Sequence, residues 1–401
     1  MDNNIKVALS EKRVHAITWT LLGVLPIIGM AVDLIAPSLP AIANHLNVSS
    51  EIAKAVIAIY LSGYALGNFF TGFLTDAWGR QKLLRLSLFS FIIVSILPII
   101  FPHITVLLLA RFLQGIMLGA VAVLARAIFS DILPAEKLVR LGTLMGTMWG
   151  LGPVLGPIIG GYLQYYLNWQ AGFGFFSLAG VSALIAVYFI VPETHLTQHP
   201  LNFKTIKNNF LEVIRHRVFM GIVILMGLVY SLIIIFNTAG PFLIQTEMHY
   251  SPLFFGRLAL VLGLFFLAAT FASRYLLKKY QVKQLYFTVI NLFFVIILLG
   301  VMMSYLFANS IILVSIFSAF MFFTCGMIFP MSMGKNLSLF RHIAGTAAAT
   351  MYLINMLITS LTGFVMSFIN VHNAISLMWT YFILMLLCVI VYRVIVSPKL
   401  E

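Results

Sequence analysis

The sequence predicts an all-α polytopic membrane protein with twelve transmembrane helices arranged as two six-helix halves. Of its 401 residues, 62% are hydrophobic and only 9% are charged, whereas a soluble domain carries roughly 25% charged residues. Polar breaks divide the chain into twelve apolar runs, and a transmembrane helix needs about 20 residues of this kind. Lipid rather than a soluble core must therefore cover much of the apolar surface.

The predicted spans follow one another closely except at the middle of the chain. They cover approximately residues 16–38, 50–74, 82–101, 104–129, 139–165, 170–191, 218–240, 254–276, 284–307, 309–333, 343–369 and 373–396. The longest polar break follows the sixth span. We therefore predict an N-terminal half (1–191), a cytoplasmic central loop (192–217) and a C-terminal half (218–401).

Lysine and arginine residues lie mostly on one side of this map. With the N-terminus in the cytoplasm, 20 of the 24 Lys and Arg residues fall in the tails and the cytoplasmic connections. Lys54 and Arg257 lie near the other face, and Arg111 and Arg126 lie within span four. The positive-inside rule therefore predicts that both termini are cytoplasmic, and a bacterial inner membrane fits best. The net charge of +13 then reflects topology and anionic lipid, and we expect no nucleic-acid partner.

Several classes of function lack their sequence signatures. The chain has no G-x-x-x-x-G-K-[ST] loop, which argues against ATP hydrolysis as the energy source. Cys325 and Cys388 both lie in apolar runs, so we expect neither a disulfide framework nor a metal site. The first apolar run ends without an A-x-A-type cleavage pattern and is predicted to be an uncleaved span. We therefore expect neither an enzyme nor a cofactor.

Asp33 is the single acidic residue that the map places within a span. The other ten acidic residues fall in tails, loops or span ends, as do all nine histidines. An ionisable group inside a membrane is costly and is by default a functional hypothesis. The alternative is a helix-end role in which Asp33 binds the following loop, because Pro37 interrupts the helix just beyond it.

The connection between spans two and three carries the first family signature. Residues 72–85, GFLTDAWGRQKLLR, resemble the G-x-L-a-D-r-x-G-R-k loop of the major facilitator superfamily through Gly72, Asp76, Gly79 and Arg80. The resemblance implies a cytoplasmic gate, in which glycines allow close helix approach and Asp76 caps a helix or pairs with an arginine.

Two further signatures of the superfamily lie in spans four and five. Residues 111–115, RFLQG, resemble the second signature, and residues 150–161, GLGPVLGPIIGG, resemble the third, which is typical of exporters. The glycines of the third signature recur at a spacing that permits close packing, and its prolines bend the helix. The resemblance therefore assigns conformational roles to Gly152, Pro153, Gly156 and Pro157.

Three stretches are similar to the bicyclomycin-resistance (Bcr/CflA) branch of drug:proton antiporters, namely DLIAPSLP (33–40), ARAIFSDILP (125–134) and PET (192–194). This resemblance implies two halves rocking around a central site and proton-coupled export of small amphipathic compounds, and we expect a monomer. It covers the first half of the chain. Some relatives carry a second acidic residue two turns before Asp33, where this chain has Leu25.

Other functions stay open at this stage. The protein could export one dedicated metabolite, such as a siderophore or an amino-acid derivative. It could also import a nutrient with the same fold, although the exporter-type signature at 150–161 disfavours import. A lipid-embedded receptor or scaffold would need neither two halves nor the loop signature at 72–85.

Depth along the helices places Asp33 and Arg111 at comparable heights. They lie roughly 6 Å and 10 Å inside the outer ends of spans one and four, at a rise of 1.5 Å per residue. In this superfamily both spans line the surface of the N-terminal half that faces the central cavity. We therefore hypothesise that Asp33, Arg111 and Gln114 form one polar cluster bordering that cavity. Arg111 would hold Asp33 ionised, and an arriving substrate would compete with a proton there. Alternatively, Arg111 is a structural tie to backbone carbonyls.

Aromatic and polar side chains of several spans are candidates for the cavity wall. Tyr60 and Tyr64 share one face of span two, Asn355 lies on span eleven, and span seven offers Asn237. Arg126, near the cytoplasmic end of span four, is expected to act as a gate or to snorkel toward the surface. Ordinary packing between helices is the alternative for each of these residues.

Overall fold

The computed structural model describes residues 9–194, 203–340 and 343–399. Within these ranges the chain forms fourteen α-helices and no strand. They are α1 (Glu11–Asp33), α2 (Leu39–His45), α3 (Ser50–Trp78), α4 (Arg80–Ile100), α5 (Ile104–Ile132), α6 (Ala135–Tyr166), α7 (Gln170–Ile190), α8 (Phe203–Arg215), α9 (Arg217–Pro241), α10 (Pro252–Leu276), α11 (Val282–Leu306), α12 (Ile311–Leu339), α13 (Ala344–Ser367) and α14 (Ala374–Val391).

Each predicted span falls on a long helix, which confirms the predicted fold class. Eleven helical segments of the described ranges are long and apolar enough to cross a membrane. The predicted fifth span lies on α6, which has 32 residues and several side chains outside the described part. Because consecutive spans alternate in direction, their ends form two faces. One face, called the basic face below, carries α8 and the connections α3–α4, α5–α6, α10–α11 and α12–α13. The face at the other ends of the helices is called the opposite face.

The predicted first span ends in a short turn that separates α1 from the short helix α2. α1 ends at Asp33, residues Ala36–Ser38 form a 3₁₀ turn, and α2 begins at Leu39. Pro37 lies in this turn and has no backbone N–H to continue the α-helical hydrogen bonds. Asp33 is therefore placed at a break in the helix, inside the bundle.

The predicted central loop at 192–217 contains a helix, α8, that its polar composition does not indicate. α8 buries Val213 and places the Phe210 ring 5.6 Å from that of Phe69, while Lys207 is exposed. Apolar residues on one face and charges on the other make an amphipathic helix. The boundaries predicted for the two halves remain a prediction.

The two halves meet along two helix pairs, in which α3 packs against α13 and α6 packs against α10. Glycines permit the second contact. A Cβ atom on Gly256 would lie 2.6 Å from the carbonyl oxygen of Pro157, and one on Gly263 would lie 2.8 Å from Cα of Val154. Such close approach of backbones is what small residues allow in membrane helices.

Candidate functional site

Asp33 is fully buried where the two halves meet. Its Oδ1 accepts a hydrogen bond from Nδ2 of Asn237, which lies on α9 in the other half. Within the described chain, Asp33 Oδ2 and Asn237 Oδ1 are buried and have no hydrogen-bond partner. The carboxyl group therefore joins the halves through one hydrogen bond and keeps one oxygen unsatisfied.

The glycines of the span-five signature determine how close Asp33 lies to α6. Gly152 and Gly160 lie directly against the α1 segment at Gly29 and Leu34, and a Cβ on Gly156 would lie 3.1 Å from Asp33 Cβ. A larger residue at any of these positions would push α6 away from α1.

The prolines of the same signature lie on the side of α6 that meets the other half. The carbonyl oxygens of Pro153 and Pro157 approach Gly263 and Gly256 of α10. One helix therefore positions the buried carboxyl group with its glycines and contacts the other half at its prolines. The predicted conformational roles of these residues remain predictions, and this geometry is compatible with them.

Arg111 is fully buried and binds neutral groups. Its Nη2 donates to the carbonyl oxygen of Ala31 at 2.8 Å, and its Nη1 donates to Oε1 of Gln114 at 3.0 Å. The guanidinium carbon lies 4.2 Å from the ring centroid of Tyr60. Gln114 in turn donates to Oγ of Ser95 at 2.7 Å, which turns it toward α4.

The structure thus brings Arg111 and Gln114 together and places Asp33 with another partner. No ion pair joins Arg111 to Asp33 in the described ranges, because a carbonyl, an amide and an aromatic face occupy the guanidinium. The expected tie of Arg111 to a backbone carbonyl is present. Heights along the helices were compatible with an ion pair, but the directions of the side chains separate the two groups.

A cavity of about 320 Å³ lies between the halves, toward the basic face. Its walls come from both halves and are mainly apolar and aromatic, including Leu25, Phe129, Met145, Phe266, Phe329 and Met333. Of the predicted wall residues, Tyr64 lines this cavity. Tyr60, Gln114 and Asn355 are fully buried and are not among its lining residues. Asp33 and Arg111 do not line it either, so the predicted polar cluster does not border this cavity.

Arg126 lines the cavity and connects the two halves. Its Nη2 donates to Oδ1 of Asn68 at 2.7 Å, and its guanidinium carbon lies 4.5 Å from the ring centroid of Tyr352 on α13. The contact with Tyr352 crosses from α5 to the C-terminal half, as a gate residue requires.

The loop signature builds a polar cluster at the basic face. Gly79 has φ +83°, a conformation that favours glycine. The Arg80 side chain pairs with Asp131 and donates to the carbonyl of Ala127 at 2.7 Å. Gly72 faces Ala349 of α13, and a Cβ added at Gly72 would lie 3.6 Å from the alanine Cβ. The side chain of Asp76, the remaining residue of the signature, lies outside the described residues.

Glu193 of the PET stretch completes this cluster. Its two carboxylate oxygens accept from the backbone N–H groups of Arg80, at 3.0 Å, and Gln81, at 3.1 Å. These groups form the first turn of α4, where a negative charge is stabilised by unsatisfied N–H donors. The sequence places Glu193 in a loop and offers no signal that it caps α4.

Side-chain hydrogen bonds of the described residues also join the halves near the opposite face and between it and the centre, among them those of Lys54, Gln245 and Ser360. Lys54 Nζ donates to the carbonyl of Ile369 at 3.0 Å, Gln245 Nε2 to that of Pro37 at 2.9 Å, and Ser360 Oγ to that of Ala58 at 2.8 Å. The halves are therefore held together at the opposite face. None of these donors is assigned a role by the sequence, because each bond depends on how the halves meet.

Comparisons with known proteins agree with this architecture. The sequence profile described as Major Facilitator Superfamily matches residues 21–366. An uncharacterized transporter of Rickettsia bellii is 26% identical over 283 residues, covering 70% of this chain and 69% of the relative. A bicyclomycin resistance protein homolog of Haemophilus influenzae is 26% identical over 57% of each chain. The multidrug resistance protein MdtL of Escherichia coli O157:H7 is 27% identical over 54% of this chain and 55% of the relative.

Solved structures show the same fold over nearly the whole chain. The crystal structure of a D-xylose-proton symporter superposes with a TM-score of 0.76 at 17% identity, covering 96% of this chain and 99% of the other. The partially occluded inward open conformation of the xylose transporter XylE from E. coli gives 0.74 at 16% identity, covering 98% and 100%. With a profile match that spans both halves, this chain belongs to the Major Facilitator Superfamily of membrane transporters for small molecules.

Proposed function

We propose that this transporter exports small amphipathic compounds in exchange for protons, by alternating access of a central site to the two sides of the membrane. The observation that carries the proposal is Asp33, the one acidic residue within a predicted span, buried at the junction of the halves and bonded across it to Asn237. A carboxyl group there gains or loses a charge at the place where the halves must separate.

The cavity supports an amphipathic substrate. Its walls combine Phe, Met and Leu side chains with a few polar groups, and such walls suit bulky apolar ligands of variable shape. Two relatives are named for bicyclomycin and multidrug resistance, and those names agree with this chemistry. The matched stretches cover only just over half of those two proteins, so the substrate class belongs to the proposal.

Topology supports the proposed direction of transport. The positive-inside rule assigns the basic face to the cytoplasm, with both termini there, in a bacterial inner membrane. The cavity then lies on the cytoplasmic side, where an exporter takes up its substrate, while Lys54 and Gln245 hold the outer side closed. We further propose that residues 1–191 and 218–401 move as two halves of a monomer, with the Arg80 cluster and Arg126 acting at the cytoplasmic gate.

The test is transport in proteoliposomes with an imposed pH gradient and an amphipathic fluorescent dye. The Asp33→Asn variant should lose most of the gradient-driven transport, because it cannot exchange a proton. Glu247→Gln is the matched control: it neutralises an exposed acidic residue near the opposite face whose contact, with His372, lies within the C-terminal half, and it should transport like the wild type. An Asp33→Asn protein that transports the dye with full dependence on the gradient would refute the proposal.

A further inference from the structure

Two of the buried polar atoms that have no hydrogen-bond partner in the described chain belong to one hydrogen-bonded pair at the junction of the halves. Asn237 Nδ2 donates one hydrogen bond to Asp33 Oδ1. The atoms without a partner are the other carboxyl oxygen, Oδ2, and the carbonyl oxygen of the same Asn237 side chain. Both atoms are acceptors when Asp33 is ionised, so the pair lacks one donor.

A proton on Asp33 supplies that donor. A protonated carboxyl group has one O–H donor in addition to its remaining acceptor capacity, and a carboxamide has both a donor and an acceptor. The acid and the amide can then exchange two hydrogen bonds, and the pair carries no charge. An ionised Asp33 would instead leave a charged oxygen buried without a partner, which is costly.

The other titratable and charged groups around Asp33 do not supply this donor. Arg111 of α5 is bound to Ala31, Gln114 and the Tyr60 ring. Neither its Nε nor the Tyr60 hydroxyl makes a hydrogen bond within the described residues, and α6 places Gly156 against Asp33. Toward this region, the elements packed around Asp33 place Tyr60 and Tyr64 of α3, Tyr230 of α9 and Cys325 of α12, and α10 carries the exposed Arg257. Of the described side chains, Asn237 is the one hydrogen-bonded to the carboxyl group.

The pair also lies where separation of the halves would break it. Asp33 and Asn237 are on α1 and α9, and the next contact toward the opposite face, Gln245 with Pro37, joins the segments that follow these two helices. If the halves part at the opposite face, the acid–amide pair must separate as well. Its strength therefore contributes to closure of that face.

We propose that Asn237 is the positioning residue that converts protonation of Asp33 into closure of the opposite face. Proton binding at Oδ2 removes one negative charge and completes the two-bond pair, and loss of the proton reverses both changes. Once the pair is broken, Arg111 is the nearest cation that can compensate the ionised carboxylate. The inference rests on the proposed proton coupling and adds the residue through which the proton acts.

The experiment measures closure directly, in the full chain in lipid nanodiscs. Spin labels at Ile52→Cys on α3 and Tyr250→Cys before α10, both exposed at the opposite face, report the distance between the halves as a function of pH. In the wild type the closed fraction should fall as pH rises. Asp33→Asn, which leaves two neutral carboxamides, should stay closed at every pH.

The Asn237 variants distinguish the inference from the proposed function. Asn237→Leu keeps the size of the side chain, and Asn237→Ser leaves one hydroxyl, too little for both bonds. Each should lower the closed-to-open ratio at low pH, roughly fivefold for one lost hydrogen bond, and flatten its pH dependence. Gln245→Ala, which removes a bond between the halves that carries no titratable group, should lower the ratio equally at every pH.

Three outcomes would overturn the inference. If folded Asn237→Leu and Asn237→Ser, verified by thermal unfolding, keep the wild-type pH dependence while Asp33→Asn loses it, Asn237 is not the partner of the proton, and the proposed function stands. A Gln245→Ala profile as flat as that of Asn237→Ser would show a general effect of weakened contact. A flat wild-type profile also overturns it, and the liposome assay of Asp33→Asn then decides separately whether proton coupling itself fails.

Discussion

Replacing Gly256 by valine tests whether the α6–α10 contact controls the arrangement of the halves. A Cβ at this position would lie 2.6 Å from the carbonyl oxygen of Pro157 and 3.3 Å from the Cα atoms of Ile158 and Gly161. All three neighbours belong to α6 in the other half. The substitution should therefore oppose the contact between the halves and leave the packing inside each half unchanged.

The free-energy cost of Gly256→Val follows from these distances. A carbon needs about 3.4–4.0 Å to a neighbouring heavy atom, so the two backbones must separate by about 1 Å to admit the Cβ of residue 256. Overpacking of this kind costs about 1–3 kcal/mol. If the cost falls only on the arrangement with the opposite face closed, the closed-to-open ratio should fall by about five- to 150-fold.

The assay is the distance between labels at Ile52→Cys and Tyr250→Cys, with thermal unfolding measured in parallel. Gly23→Val is the matched control, because nothing lies within 4 Å of a Cβ there, and it should change neither quantity. Gly160→Val, which meets the Leu34 backbone within one half, should lower thermal stability instead. The reasoning fails if Gly256→Val keeps the wild-type closed fraction or loses as much stability as Gly160→Val.

Three further substitutions probe the other contacts. Lys54→Met keeps the length of the side chain but removes its bond to the Ile369 carbonyl, so the closed fraction measured by the labels should fall several-fold. Glu193→Gln loses one of the two acceptors at the start of α4, so thermal unfolding should show a loss of about 0.5–2 kcal/mol. Arg126→Lys loses the planar contact with Tyr352 and should raise the KM for dye transport several-fold without lowering thermal stability.

Each of these predictions has an outcome that contradicts it. An unchanged label distance in Lys54→Met would mean that the opposite face is held by other contacts. Glu247→Gln is the control for Glu193→Gln. Equal thermal stabilities of the two variants would contradict the role of Glu193 as a cap of α4. An Arg126→Lys protein that unfolds earlier but transports with the wild-type KM would make Arg126 a structural residue.

The fold was predictable from the sequence because its determinants are local along the chain. A span requires a minimum number of consecutive apolar residues, and topology depends on which connections carry Lys and Arg. α8 was missed for the opposite reason: a polar segment becomes a helix here because Phe210 and Val213 find apolar neighbours. That information lies in other parts of the chain.

The candidate site was predictable only in part. Elimination among the acidic residues identifies Asp33, since a buried carboxyl group is costly wherever it lies. Asn237 is visible in the sequence as a polar residue in an apolar span, but its contact with Asp33 spans 204 positions and depends on how the halves meet. Depth along a helix gives the height of Arg111 and not the direction of its side chain, which is why the ion pair with Asp33 was expected and is not formed in this arrangement.

The separation of Asp33 from Arg111 carries information about the state of the carboxyl group. Opposite charges in a medium of low dielectric constant attract strongly, and Arg111 already binds Ala31, two residues from Asp33 on the same helix. With an ionised Asp33, turning the guanidinium toward the carboxylate would lower the free energy of this arrangement. The guanidinium instead binds neutral groups, and the carboxyl group binds an amide. This combination suits a protonated Asp33, and the ion pair is then expected in the arrangement in which the halves have parted at the opposite face.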